Sequence, residues 1–459
     1  MSGRPDAARS IDGHAVGFVE ELRAACRIPS VSATGGEALF AMARLVEARL
    51  STVLDTVALI PTGHDGPPAV CGELRGRDPR GARILLYSHY DVQPPEPLED
   101  WTSGPFEAAV VDGSVVARGV ADDKADVFAR IHALEAFVTA YGRPPFTVIW
   151  LCEGAEEIGS IGLRELVLRN QERLRADCCL WESYLRRADG TPEIGYGCRG
   201  LLYVELRARA LSGDQHSSFR SVLRSAPAEL ARAIASFTDV TGLVTVEGFH
   251  DTVVPPAADA LDAMRQGAPP TGIEGVAGRS PFVSDDVDEL TRRLYFEPTA
   301  NVAGMWAGYT GPGAKTVLPA SAQAKLDFRL VPDQDPDDIA RKLRAHLVTH
   351  GFDAIEMTVL STTKPASTPL DTPLGGAVRK AARETMGEPV NVPYVAGSGP
   401  VSIVQDVFHI PVVMPPGSIR FDSAIHAPNE HCRIDDYLDT VRFNVRLFEI
   451  LATADLPPS

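Results

Sequence analysis

Apolar residues recur at helical spacing over residues 13–26 (Val16, Phe18, Val19, Leu22), and the pattern repeats over 38–50, which predicts two amphipathic helices. Residues 83–88 then form a short unbroken apolar run, the signature of a strand buried on both faces. A helix is predicted over 123–141, with Phe128, Ile131, Leu134 and Val138 along its apolar stripe. A second buried strand follows over 146–152, introduced by Pro144 and Pro145. Buried strands alternating with helices predict an α/β sheet covered on its faces.

The pattern changes after Gly200. Residues 201–210 alternate, with Leu202, Val204 and Leu206 on one face and Glu205, Arg207 and Arg209 on the other, as in a half-exposed strand. A helix is predicted over 226–237, and the Pro-, Gly- and Asp-rich stretch 249–281 reads as loops with short helices. Strands follow over 300–307, 321–330 and 354–361, with an amphipathic helix over 336–351 that has Pro at its start and Gly at its end. This set suits an α+β layer with one open face. Helix returns over 368–386, a buried strand over 407–414 and a closing helix over 435–451. The expected organisation is a large domain split in sequence (1–199 and 366–459) around a smaller inserted one (200–365), without internal repeats.

Composition narrows the function classes. Net charge is −17 over 459 residues, which argues against a general nucleic-acid surface or an anionic membrane surface. No stretch approaches the ~20 apolar residues of a membrane span, and the polar first 13 residues carry no apolar run of a secretory signal. The seven Cys are odd in number and form no CxxC pair, so reduced buried thiols in the cytosol are expected rather than a disulfide framework or a thiolate zinc site.

Candidate chemistry collects where strands are predicted to end, which is where open α/β sheets bind ligands. His89 follows the first buried strand in SHYDVQP (88–94), with Asp91 placed to hold its other ring nitrogen. Taken alone, His89 reads as a structural or incidental histidine. Asp122 and Asp123, in GVADDK (119–124), open a helix and by themselves could be a cap and a first-turn acid. Glu153, Glu156 and Glu157, in EGAEEIGS (153–160), are harder to dismiss, because carboxylates crowded at a buried strand end are costly without cations. Glu182 follows an apolar run, and His426 sits in HAPNE (426–430). Two imidazoles and three carboxylates (His89, Asp122, Glu157, Glu182, His426) suit zinc or manganese better than calcium. His346 and His350 have the i, i+4 spacing of a metal pair but lack a companion Glu, and read as a solvated helix face. His132, in mid-helix, reads as packed or capped.

With these motifs in order along nearly the whole chain, together with WTSGPFE (101–107), YGCRG (196–200), AKTVLP (314–319) and FRLVP (328–332), the sequence resembles a family of co-catalytic metallopeptidases. That family includes carnosine dipeptidases, aminoacylases, desuccinylases and glutamate carboxypeptidases, and the likeness is greatest to its dipeptidase branch. The resemblance implies a phosphorylase/hydrolase-like α/β catalytic domain and an inserted ferredoxin-like α+β domain serving as lid and dimerisation surface. It implies two divalent metal ions per subunit, zinc first and manganese or cobalt as alternatives. Asp122 would bridge them, with His89 and Glu182 on one ion and Glu157 and His426 on the other. Glu156 would be the general base and Asp91 the acid behind His89. His216 would reach the active site of a partner subunit in a homodimer to stabilise the oxyanion. Arg329 would bind the substrate carboxylate, with Thr316 and Ser398 as further substrate contacts.

The chain departs from the pattern at three places. Dipeptidases of the family often carry Asp at the position of Glu182, the loop 394–397 lacks an Arg-Glu pair, and His216 is followed by two serines. The expected function is hydrolysis of peptide bonds in small substrates with a free carboxylate, in the cytosol. The alternatives are an amidohydrolase of N-acyl or N-carbamoyl amino acids and, from another class, a non-catalytic metal-binding protein on the same fold.

Overall fold

The computed structural model describes residues 7–63, 66–256, 258–266, 283–284 and 286–454. Two helices open it, α1 (Ala7–Cys26) and α2 (Glu37–Leu50), followed by strands β1 (Thr56–Ile60), β2 (Ala69–Leu74) and β3 (Arg83–His89). Helix α3 (Ala125–Tyr141) leads to β4 (Thr147–Glu153) and β5 (Cys178–Leu180). Then come β6 (Gly200–Arg209), α4 (Ala226–Ala235), α5 (Ala258–Gln266), α6 (Val287–Phe296), β7 (Thr299–Ala307), β8 (Ser321–Leu330), α7 (Pro336–Thr349) and β9 (Ile355–Thr363). The chain closes with α8 (Pro373–Thr385), α9 (Val401–Phe408), β10 (Val412–Val413) and α10 (Ile434–Leu451).

The central sheet runs β1-β2-β4-β3-β5-β10. Strands β4, β3, β5 and β10 are parallel, while β1 and β2 add an antiparallel edge. Parallel strands must be covered on both faces, and the side chains of β3 and β4 divide accordingly. Leu86, Val148 and Trp150 join one core with α1, α2, α3, α8 and α10. Leu85, Tyr87, Ile149 and Leu151 join another with the helix Leu163–Arg169 and α9. The parallel register His89↔Glu153 and Leu86↔Leu180 brings three strand ends to one edge of the sheet.

A second sheet, ordered β7-β8-β6-β9, is wholly antiparallel. Its buried positions alternate along β6 and β8, and α4 and α7 cover that face through Leu230, Ala233, Ile339 and Leu343. All seven cysteines are buried and unpaired. No helix among the described residues is long and apolar enough to cross a membrane.

Four expectations need correction or limits. Residues 368–372 are not helical: Thr368 is buried and bonded to Tyr196, Gln405 and Val412, and the helix begins only after Thr372 caps it. The strand expected over 407–414 is instead the end of α9, a left-handed turn at His409 (φ 55°), and the short β10. An apolar run suits helix and strand alike, and here Val401 and Val404 supply a helical face beneath the sheet. Of the two histidines read as a solvated helix face, His350 is exposed but His346 is not. His346 is buried, bonds Ser236 Oγ at 2.9 Å, and stacks on His350 at 3.9 Å. It continues the buried stripe Ile339, Leu343, Leu347 of α7. Of the stretch read as loops over 249–281, α5 is described, while 267–281 lies outside the described residues. His132 is packed as expected, between Glu21 and the Tyr437 hydroxyl.

Leu326 sits at the centre of the second sheet, 1% exposed and paired with Val204 and Val302. Truncation to Ala is expected to cost about 2–5 kcal/mol, read as a lowered denaturation midpoint.

Candidate metal centre

His89 is the last residue of β3 and Glu153 the last of β4. Glu153 is spent on structure: it accepts hydrogen bonds from the Tyr87 hydroxyl (2.5 Å) and Ser160 Oγ (2.9 Å). The chain then turns at Gly154, where a Cβ would fall within 2.6 Å of the Tyr90 ring, into a single 3-10 turn carrying Glu156 and Glu157. Asp91 sets this turn. Its two oxygens accept the backbone N–H groups of Glu156 (3.2 Å) and Glu157 (3.1 Å), while His89 Nδ1 lies 3.4 Å from its Oδ1. Gln93 donates to Glu157 Oε2 at 2.8 Å. One segment after β3 therefore orients both the imidazole and the carboxylates across from it.

Asp122 lies in an irregular turn (Val120–Lys124) entered through Gly119 at φ 76°. Glu430, buried to 1% exposure, shapes it. Its carboxylate accepts from Arg118 (2.8 Å) and from the N–H groups of Gly119 (2.7 Å), Ala121 (2.9 Å) and Asp122 (3.1 Å). Sequence reasoning quoted Glu430 in its motif without giving it a role. The available signal was an acid in the same short motif as a candidate ligand.

Beyond the turn, Asp126 pairs with Arg130 at 2.9 Å and accepts from the Ser183 hydroxyl. Arg130 in turn donates to the carbonyls of Tyr87 and Trp181, which fixes Glu182 relative to β3. His426 adopts a left-handed backbone (φ 59°), unusual outside glycine. Its loop is clamped by Asn429, which accepts from Thr102 and donates to the Asp100 carbonyl.

These supports converge on one cluster. Asp122 Oδ1 lies 2.9 Å from His89 Nε2 and its Oδ2 lies 3.1 Å from His426 Nε2. Glu157 Oε2 is also 3.1 Å from His426 Nε2, and Glu182 Oε2 is 3.7 Å from His89 Nε2. Two groups have ligand atoms within 4.8 Å of one another: His89, Asp123 and Glu182, and Asp122, Glu157 and His426. Asp123 was named from sequence beside Asp122 but was not among the expected ligands. One of its oxygens accepts the His89 N–H at 3.2 Å, and the other is buried without a hydrogen-bond partner, as is Glu182 Oε2.

The electrostatics follow from this crowding. Burial, then the neighbouring Glu182, raises the Glu156 carboxyl well above its usual range. Burial lifts Glu182 to about 7, opposed by His89. Burial also acts against ionised Asp122, but the two histidines outweigh it and hold Asp122 below the usual range. Hydrogen bonds to Asp122 and Glu157 raise His426 to about 10. Imidazole and carboxylate donors with orphaned buried oxygens fit hard or borderline divalent cations, which would neutralise the cluster.

Arg329 and Ser398 form a separate pair, with Arg329 Nη1 donating to Ser398 Oγ at 2.9 Å. His216 and Thr316 form another, His216 Nε2 lying 3.4 Å from Thr316 Oγ1. Among the described residues, no hydrogen bond or ion pair joins either pair to the cluster.

The model of peptidase family M20/M25/M40 matches residues 85–450. A human Beta-Ala-His dipeptidase is 28% identical, over 95% of this chain and 90% of its own length. A Cys-Gly metallodipeptidase of Schizosaccharomyces pombe is 27% identical, over 93% of both chains. The solved structure of an M20 family metallo-carboxypeptidase from Sulfolobus solfataricus superposes with a TM-score of 0.89 at 31% identity, covering 95% of this chain and 99% of the other.

Replacing Glu430 by Ala strands Arg118 and frees the turn bearing Asp122. Removing one partner of a buried pair is expected to cost about 3–5 kcal/mol. Metal retained after dialysis is expected to fall with it, as read by elemental analysis beside a denaturant titration.

Proposed function

The chain belongs to peptidase family M20/M25/M40, and from that premise we propose that it is a dipeptidase cleaving small substrates with a free carboxylate. It is a metal-dependent enzyme that hydrolyses peptides. The observation carrying the proposal is the Asp122 carboxylate, with one oxygen on His89 and the other on His426, beside Glu156. The names of the human and fission-yeast relatives support the substrate class.

In this reading Asp122 would be shared by two cations, zinc first with manganese or cobalt as alternatives. His89 and Glu182 would hold one, and Glu157 and His426 the other. Such a pair, when bound, would supply an acidified water and a clamp for negative charge on the scissile carbonyl. Glu156 accepts the proton of the attacking water and returns it to the leaving amine. Asp91 aims it through the backbone of the turn. Arg329 and Ser398 receive the substrate carboxylate, the guanidinium offering parallel donors.

His216, supported by Thr316, donates to the oxyanion from a second copy of the chain. The homodimer is further supported by β7, an edge strand that exposes Val302 (45%), Met305 (45%) and Trp306 (43%). The proposed division is 1–199 and 366–459 for the catalytic domain and 200–365 for the lid and dimerisation domain. Seven unpaired buried thiols support a cytosolic setting.

A second reading, hydrolysis of N-acyl or N-carbamoyl amino acids, is favoured by Glu182 standing where dipeptidases of the family often carry Asp. Metal-loaded enzyme assayed on dipeptides and on N-acetyl and N-carbamoyl amino acids separates the two. Turnover of dipeptides is expected, and turnover of acylated substrates alone would replace the first reading by the second.

Two variants test the roles of single residues. Glu156→Gln is expected to keep its metals and lose turnover by at least ~100-fold; unaltered turnover removes Glu156 as the base. Mixing His216→Ala and Glu156→Gln chains under conditions of proven subunit exchange is expected to restore part of the activity. No recovery would place His216 outside the partner's site.

A further inference from the structure

Arg199 is only 3% exposed, yet no carboxylate is paired with it among the described residues. Its guanidinium is satisfied by backbone carbonyls. Nη1 donates to Leu294 O at 2.8 Å, while Nη2 donates to Glu297 O and, at 3.3 Å, to Arg329 O. Its Nε has no partner. The Arg199 backbone N–H donates to the carbonyls of Gly397 (3.0 Å) and Val395 (3.3 Å). Next in the chain, the Gly200 carbonyl accepts from Ser398 Oγ at 3.2 Å, the same hydroxyl that accepts from Arg329.

Three separate segments thus meet at this residue: the end of α6, the end of β8 carrying Arg329, and the loop carrying Ser398. A buried cation without a counter-ion is costly. Burial, then the charge of Arg329, pulls the Arg199 proton affinity down to about 10. Arg329 has one carboxylate beside it among the described residues, Asp327, 3.7 Å from its Nε. The two guanidiniums therefore leave a local positive excess in a chain whose net charge is −17, placed where an anionic group would be received.

Resting on the proposed dipeptidase reading, we infer that Arg199 is a positioning residue for substrate-carboxylate recognition. It holds the Arg329 backbone and the Ser398 loop in one geometry and adds positive potential there without touching the substrate itself. A side chain needed only for packing would affect all substrates alike. One acting through the carboxylate site would affect only those that carry a carboxylate.

The test compares hydrolysis of one dipeptide and its C-terminal amide by wild type, Arg199→Gln, Arg199→Lys and Arg329→Gln, each metal-loaded. For Arg199→Gln, kcat/KM on the dipeptide is expected to fall roughly 10–100-fold, mainly through KM, as for loss of hydrogen bonds to a charged group. Its kcat/KM on the amide is expected to stay within about threefold of wild type. Arg199→Lys keeps the charge and should recover part of the preference for the acid, and it decides the matter alone if the Gln variant does not fold. Combining Arg199→Gln with Arg329→Gln should add little to Arg329→Gln alone. Equal losses on acid and amide, or an unchanged acid-to-amide preference in the Arg199 variants, would overturn the inference. Wild type that cleaves neither substrate would instead overturn the dipeptidase reading on which it rests.

Discussion

Like charges packed into a volume that excludes water repel strongly, and they stay ionised only with cations among them. Asp123, buried, and Asp122, Glu156, Glu157 and Glu182, half-buried, approach that situation, with His89 and His426 interleaved. The rest of the site is arranged to hold this unfavourable set together. Asp91 fixes the Glu156–Glu157 turn by two N–H groups, Glu430 fixes the Asp122 turn by three N–H groups and a guanidinium, and Arg130 draws Tyr87 and Trp181 together. None of these supports need touch a substrate, and each sets the position of a residue proposed to bind metal or move a proton.

The sheet makes the convergence possible. Because β3, β4 and β5 are parallel and in near register, their carboxyl ends open at one edge, and the loops that follow meet there. The motifs that are scattered along the sequence become contacting pairs. Segment 88–94 orders 153–160, segment 426–430 clamps 100–102 and 118–122, and 199–200 gathers 329 and 395–398. Hence the chemistry depends on long-range pairing rather than on any local motif.

Much of this was legible in the sequence. Unbroken apolar runs located β3 and β4, and acids just past them could hardly be buried without purpose. Alternation located β6, and Pro and Gly bounded α7. What was hidden depended on tertiary partners. The run over 407–414 satisfied two periods at once, and only the sheet above α9 decided between them. His346 looked solvated because the stripe of α7 includes a polar residue that finds Ser236. Glu430 had only its place in a candidate ligand's motif as a sign, and Asp123 and Arg199 carried no local sign of the contacts they make, since each acts on backbone groups distant in sequence.

The account stands or falls on Asp122 joining two cation sites. Calorimetric titration of metal-free chain with zinc measures this directly. The account predicts two ions per chain for wild type, one for His426→Ala, and loss of both tight sites in Asp122→Ala. A wild-type stoichiometry of one, or an Asp122→Ala chain that still binds two ions with unchanged affinity, would contradict it.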